Sequence, residues 1–328
     1  MNQNIAGTIY DRSHFTGVRC IEPDKLVASL RDNLGKNMAI TSGRYEYDCV
    51  CSARDLAWNH MDHHHRPPIH NTYQEAVRFA LGNDFTISVT KLRLLGIPFL
   101  VTVSEVRFGP GAFYQSMTLL GVFYVHIIIT VLSRPTPEGE KSKVIADWHI
   151  ASHRLFKLFH GILSRKLERL GRVQTEEDSG IRDRRAELRG KGYVFSSDEP
   201  DFISSNALTL NTLAPPIEGV LHVELASLPE GRLTKVMLGV VELLVERRAD
   251  QSIVVWPGAC PHEGADLALG ERCDKDIVCQ WHGLRFAGTT LSPAQPSGRV
   301  GLLELRLEGT DLQVRQRELA RRTPAPIA

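Results

Sequence analysis

The chain has 328 residues, 42% hydrophobic, 23% charged and 7% aromatic, enough for two ordered domains with a core in each. Its 39 Lys and Arg against 38 Asp and Glu leave a formal net charge of +1, so no nucleic-acid partner is indicated. Six cysteines are too few and too scattered for a disulfide scaffold, and MNQNIAGTIYDRSHF lacks a charged-then-apolar leader, so a reducing, cytoplasmic setting is expected.

Residues 1–40 start irregular and give a short amphipathic helix at about 23–35, with Leu26, Val27, Leu30 and Leu34 on one side. A strand follows at 44–51, where Tyr45, Tyr47, Cys49 and Cys51 alternate with polar residues. A C-x-C pair can bind metal, but a half-buried strand face accounts for these two cysteines.

From Asn59 to His70 the chain holds five histidines in eleven residues, His60, His63, His64, His65 and His70. The spacing D-x-x-H-x-x-x-x-H falls on Asp62, His65 and His70, with Asn59 three residues ahead of the aspartate. His60 and His64, at i and i+4, are a shifted alternative on one helix face. Pro67-Pro68 ends any helix and lets His70 return from a turn. A His-rich loop alone also reads as a solvated turn or an adventitious metal binder.

Antiparallel strands are expected over 84–152, alternating at 85–90 and 98–107, with turns at 96–98 and 109–111. MTLLGVFYVHIIITVL (117–132) is the most apolar stretch, short for a membrane span and rich in β-branched residues. One long strand of a curved sheet, bordering a deep apolar cavity, is the expectation; His126 within it reads as a hydrogen-bonded core histidine. After a turn at 135–139 comes a strand at 143–150. A helix at roughly 152–172 then carries an apolar stripe of Leu155, Leu158, Phe159, Ile162, Leu163, Leu167 and Leu170. The acidic segment QTEEDSGI (174–181) resembles a helix start, and the Arg-rich run 182–189 a solvated helix face.

Periodicity is lost over 198–217, and the linker is placed at 206–218. Short strands resume from 219 to 316, and a basic, Pro-containing tail follows at 317–328. Within this half lie Cys260-Pro261-His262 and Cys279-Gln280-Trp281-His282, loops separated by strand and turn signals. Two thiolates and two imidazoles on paired loops suit an iron pair held by Cys₂ on one side and His₂ on the other. Zinc accepts the same four atoms, but its sites usually pair Cys with Cys and His with His along the chain. Cys273, between the loops, reads as a packed residue.

CPHEGADL and CQWHGLRF closely resemble the two ligand loops of the Rieske [2Fe–2S] domain. Beside them, the Asp62–His65–His70 spacing resembles the mononuclear-iron motif of Rieske-type non-haem iron oxygenases. That resemblance implies cluster ligands Cys260, His262, Cys279 and His282, and iron ligands His65, His70 and a late carboxylate. Asp178 is chosen for the carboxylate, with Glu176 and Glu177 as alternatives; Asp62 becomes the electron-transfer bridge. Two neutral imidazoles and one carboxylate hold Fe(II) on one face and leave positions open.

The implied fold is α+β: a helix-grip (START-like) catalytic domain at 1–205, with its antiparallel sheet and long C-terminal helix, then an all-β Rieske domain at 219–316. The family usually places the Rieske domain first, so the order here is inverted. Further implications are O₂ as co-substrate, electrons from NAD(P)H through a ferredoxin or flavin reductase, an apolar organic substrate, and a homo-oligomer, usually a trimer. A reading from a different class is a non-catalytic Rieske electron-transfer protein fused to a START-like ligand-binding domain.

Overall fold

The computed structural model describes residues 23–34, 37–70, 73–81, 84–94, 97–109, 111–137, 139–198 and 211–316. The first part of the expected N-terminal extension, the linker up to residue 210 and the tail from 317 lie outside them. The chain divides into two compact units, Met1–Glu187 with Ser196–Asn206, and Leu188–Phe195 with Ala207–Ala328.

The first unit holds α1 (Pro23–Leu34), β1 (Met38–Cys49), α2 (Ala53–Met61), the short α3 (Arg66–Ile69), β2 (Tyr73–Leu81), β3 (Phe85–Leu94), β4 (Ile97–Gly109), β5 (Ala112–Leu119), β6 (Phe123–Thr136), β7 (Gly139–His153) and α4 (His160–Gly190). Its strands form one seven-stranded antiparallel sheet in the order β1-β7-β6-β5-β4-β3-β2. Alternation puts Val125, Ile127, Ile129 and Val131 of β6 and Val144, Ala146, Trp148 and Ile150 of β7 on the buried face. Leu163 and Leu167 of α4 and Leu56 and Ala57 of α2 pack on the same cluster. Each of the valines, leucines and isoleucines stabilises the fold by about 1.5–3 kcal/mol when fully buried. A single long helix gripped by an antiparallel sheet is the helix-grip arrangement.

Three local expectations are corrected. The stretch 117–132 is not one strand but parts of β5 and β6, turned at Leu120 (φ 55°) and Gly121 (φ 67°). An apolar run hides a two-residue left-handed turn when one turn residue is a leucine, here 61% exposed. Second, β7 continues to His153, a 3₁₀ turn covers Arg154–Phe159, and α4 starts at His160 and runs to Gly190. The acidic segment and the Arg-rich run are thus the middle and end of one helix, and Arg182 and Arg185 are buried rather than solvated. Third, β1 ends at Cys49; Cys51 lies beyond it, fully buried, its carbonyl accepting from Ser142 Oγ at 2.9 Å.

The second unit is all-β. Strands β10 (Val220–Glu224), β18 (Ser297–Val300), β19 (Leu303–Glu308) and β20 (Asp311–Gln316) form one sheet; β11 (Leu233–Leu238), β12 (Val241–Arg247), β13 (Ile253–Pro257) and β17 (Thr289–Leu291) form another. Val223, Leu243, Val245, Val255, Leu305 and Val314 are among the residues of the core these sheets share. A three-stranded sheet of β14 (Glu271–Cys273), β15 (Asp276–Val278) and β16 (Arg285–Ala287) adjoins the second Cys/His loop in sequence. Short strands β8 (Val194–Phe195) and β9 (Thr212–Leu213) pair with each other. Among the described residues no helix is long and apolar enough to cross a membrane.

Candidate metal centres

In the second unit the two ligand loops are built alike. Gly264 N donates to Cys260 O at 2.8 Å and Cys260 N to Ala265 O at 2.7 Å; Gly283 N donates to Cys279 O at 2.9 Å and Cys279 N to Leu284 O at 2.8 Å. Each tight loop closes on a glycine with positive φ, 87° at Gly264 and 68° at Gly283, where an L side chain would be strained. A Cβ on Gly264 would also meet Leu188 Cδ1 and Phe195 Cε1, both at 2.9 Å.

This geometry buries Cys260, Cys279, His262 and His282 together. The imidazoles stand perpendicular, with ring centroids 4.6 Å apart and their Nδ1 atoms 3.3 Å apart. The hydrogen bond from Cys260 lowers the Cys279 thiol to about 7, while burial and its partner push Cys260 up. Two adjacent thiols and two converging imidazole nitrogens fit the Cys₂His₂ donor set of a Rieske cluster.

In the first unit the histidine run is sorted by its surroundings. Ser52 caps α2 by accepting from Asp55 N at 3.2 Å, and Asp62 Oδ1 accepts from His64 N at 3.3 Å where α2 gives way to a 3₁₀ turn. His60 and His63 turn to one carboxylate, with His60 Nδ1 2.9 Å from Glu105 Oε1 and His63 Nε2 3.1 Å from Oε2. His64 is partly exposed. His65 and His70 are buried and meet Asp178, whose Oδ1 is 3.4 Å from His65 Nε2 and 3.2 Å from His70 Nε2.

The pair facing Asp178 is therefore His65 and His70, not His60 and His64. Ligand atoms of all three lie within 4.8 Å of one another. Asp178 Oδ1 is buried and makes no hydrogen bond despite its two nitrogen neighbours, an arrangement suited to a shared cation. His70 Nδ1 donates to Glu177 Oε2 at 2.8 Å, which directs Nε2 toward Asp178; Glu177 is thus a support of the histidine. His65 Nδ1 lies 3.8 Å from the fully buried Asp62 and makes no hydrogen bond. Asn59 Nδ2 is 3.5 Å from His65 Nε2. Donor types and convergence both fit a two-histidine, one-carboxylate iron site.

Burial works against the His65 imidazolium, but Asp178 and Asp62 on either side outweigh it and carry the ring up to about 9. Burial likewise opposes the Asp178 carboxylate, yet the two imidazoles hold it well below the usual range. His63 is driven down to about 4 by burial and then by Arg66.

Two cavities lie between sheet and helix in this unit. One, about 410 Å³, is walled chiefly by apolar side chains, among them Phe99, Leu119, Phe123, Val125 and Ile150. The other, about 80 Å³, is lined by His60, His65, His70 and Asp178 among others. Met117, Leu167 and Leu170 belong to the walls of both. The expected apolar cavity is present, and the lining of neither includes His126, whose Nδ1 instead bonds the Tyr114 hydroxyl. Cys49, Cys51 and Cys273 are free thiols.

Sequence reasoning missed Glu105, Asp55 and Arg185. Glu105 left a signal: it follows Val101 and Val103 at the buried positions of β4, where a charge is out of pattern.

Residues 220–298, which contain Cys260, His262, Cys279 and His282, match the Rieske [2Fe-2S] domain, and such a domain implies a [2Fe–2S] cluster. No curated protein matches the chain. Among solved structures, the ZhuI aromatase/cyclase from Streptomyces sp. R1128 aligns at 12% identity over 46% of this chain and 99% of its own, with a TM-score of 0.39. A truncated norcoclaurine synthase from Thalictrum flavum aligns at 12% identity over 39% of this chain and 86% of its own (TM-score 0.32). A START superfamily protein from Mycobacterium smegmatis aligns at 11% identity over 43% and 97% (TM-score 0.32). At these scores none bears on function.

Proposed function

We propose that the chain is a Rieske-type oxygenase in which the catalytic domain precedes the Rieske domain. The observation that carries this reading is the convergence of His65, His70 and Asp178 within 4.8 Å, beside an apolar cavity and in the same chain as a Rieske domain. Cys260, His262, Cys279 and His282 would hold the cluster, and His65, His70 and Asp178 a ferrous ion. The two groups would supply one-electron storage and the activation of O₂, which does not attack an organic substrate unaided.

The protein's own residues do the rest. Glu177 fixes the orientation of His70. Asp62 would be the carboxylate on the electron route between the two centres. The cavity walled by Phe99, Phe123 and Ile150 suits an apolar organic substrate, and it shares the walls Met117, Leu167 and Leu170 with the smaller cavity that the histidines line. Electrons would come from NAD(P)H through a ferredoxin or flavin reductase, and hydroxylation is the default outcome. A trimer remains the proposed assembly.

Iron counting tests this directly. Anaerobic ferrous loading should give about three irons per chain, two with the cluster's spectrum and one without. A count that stays at the cluster pair would replace this reading with an electron-transfer protein fused to a ligand-binding domain.

A further inference from the structure

The start of the apolar stripe ahead of the long helix is left uncovered. Leu155 and Leu158, in the 3₁₀ turn before α4, are 70% and 72% exposed, and Phe159 and Ile162 are 43% and 49% exposed. Single exposed leucines are common, but large apolar side chains gathered within 155–162 make a patch. The patch adjoins the mouth of the 410 Å³ cavity. Phe123, in the cavity wall, meets Phe159 edge-on with ring centroids 6.4 Å apart. Leu120, Lys166 and Arg169 belong to the lining and are also exposed. Ile162, Lys166 and Arg169 stand at i, i+4 and i+7, so they share one face of α4.

The charge on this segment is almost all of one sign. Between 154 and 172 stand Arg154, Lys157, Arg165, Lys166, Arg169 and Arg172, all exposed, against Glu168 alone, in a protein of net charge +1. Among the described residues no acid pairs with Lys166 or Arg169. Exposed leucine and phenylalanine flanked by unpaired cations is the composition of a segment that lies in a membrane interface. There the apolar side chains sit among acyl chains and the cations at anionic headgroups. A second copy offering the same face would set these cations against their equals, so charge favours lipid over self-association. We propose that residues 154–172 dock the protein on an anionic lipid bilayer, with the cavity mouth against the membrane. An apolar substrate dissolved in the bilayer would then enter the cavity without crossing water; this consequence alone rests on the oxygenase reading.

The probes are vesicles of phosphatidylcholine alone and of phosphatidylcholine with phosphatidylglycerol at roughly 3:1. Binding of the full-length protein is read by co-sedimentation, with the cluster's absorption recorded on the same samples. Wild type should bind the anionic vesicles about tenfold or more tightly than the neutral ones, and lose most of that advantage between about 50 and about 500 mM NaCl. Lys166→Gln with Arg169→Gln should weaken anionic-vesicle binding by about 10–30-fold. Leu155→Ser with Leu158→Ser should weaken it by about tenfold. Arg299→Gln with Arg306→Gln, exposed arginines of the second unit, should change it by about twofold or less. All these side chains are exposed, so the cluster's absorption should stay at the wild-type level. Equal binding to the two compositions, wild-type binding by the serine variant, or an equal loss from the arginine pair of the second unit would overturn the proposal. So would an oligomer in sedimentation velocity that the serine variant dissociates, which would give the face to a second copy. None of these results depends on the iron count, so the oxygenase reading stands or falls separately.

Discussion

Arg185 Nε donates to Asp55 Oδ1 at 2.9 Å across 130 residues of chain, with both side chains at 0% exposure. The same guanidinium lies 4.1 Å above the Trp58 ring and donates from Nη2 to Ser197 Oγ at 2.7 Å. The pair ties α2, which leads into the histidine run, to the helix that carries Asp178. Removing one partner of a buried ion pair leaves an uncompensated charge. Arg185→Met is expected to lower stability by roughly 3–5 kcal/mol, and Asp55→Leu/Arg185→Met to recover much of that loss. Urea unfolding of Arg185→Met, Asp55→Leu and the double variant checks this, and an additive double mutant would refute the coupling.

Ligand substitutions should separate the two centres. His65→Ala with His70→Ala, or Asp178→Ala alone, is expected to remove the third iron and leave the cluster's absorption and EPR spectra intact. Glu177→Gln, which alters a support of His70, should weaken that iron's affinity by about 10–100-fold without abolishing binding. Equal losses from Glu177→Gln and Asp178→Ala would mean that the ligand has been assigned to the wrong acid.

Asp62→Asn should keep all the metals and slow the transfer of electrons between them. Single-turnover oxidation after chemical reduction of the cluster measures this, and an unchanged rate would remove Asp62 from the electron route.

Glu105 predicts an acid limb to the stability curve. Burial opposes its ionised form, but His60 and His63 overcome burial and hold the carboxyl well below its ordinary 4.5. A carboxyl depressed in the folded state binds its proton more tightly when unfolded, so its stabilising contribution is complete above pH 4.5 and is lost as pH falls below that value. Wild type should therefore lose stability more steeply than Glu105→Gln between pH 5 and pH 3.5, as read from urea midpoints. Parallel curves would show that the carboxyl is not depressed.

Much of this protein was written locally. The cluster loops were legible because a Rieske site draws its ligands from two short segments, Cys260–His262 and Cys279–His282, each followed closely by its own turn glycine, Gly264 and Gly283. The D-x-x-H-x-x-x-x-H spacing was legible for the same reason, since Asp62, His65 and His70 belong to one turn-and-helix segment. Alternation along β6 and β7 marked the sheet because strand burial repeats every second residue.

Choices that depend on distant partners needed the tertiary structure. Nothing local tells Asp178 from Glu176 or Glu177. Asp178 lies three turns after Leu167 on the face of α4 that meets the sheet, while Glu177 reaches Nδ1 of His70. Nor does composition tell a solvated arginine from Arg185, which is buried only because Asp55 comes to meet it. His60 and His65 are alike in sequence, and only the strand carrying Glu105 draws the first away from the helix carrying Asp178. Spacing determines which side chains share a segment; charge partners brought from far along the chain decide what each of them faces.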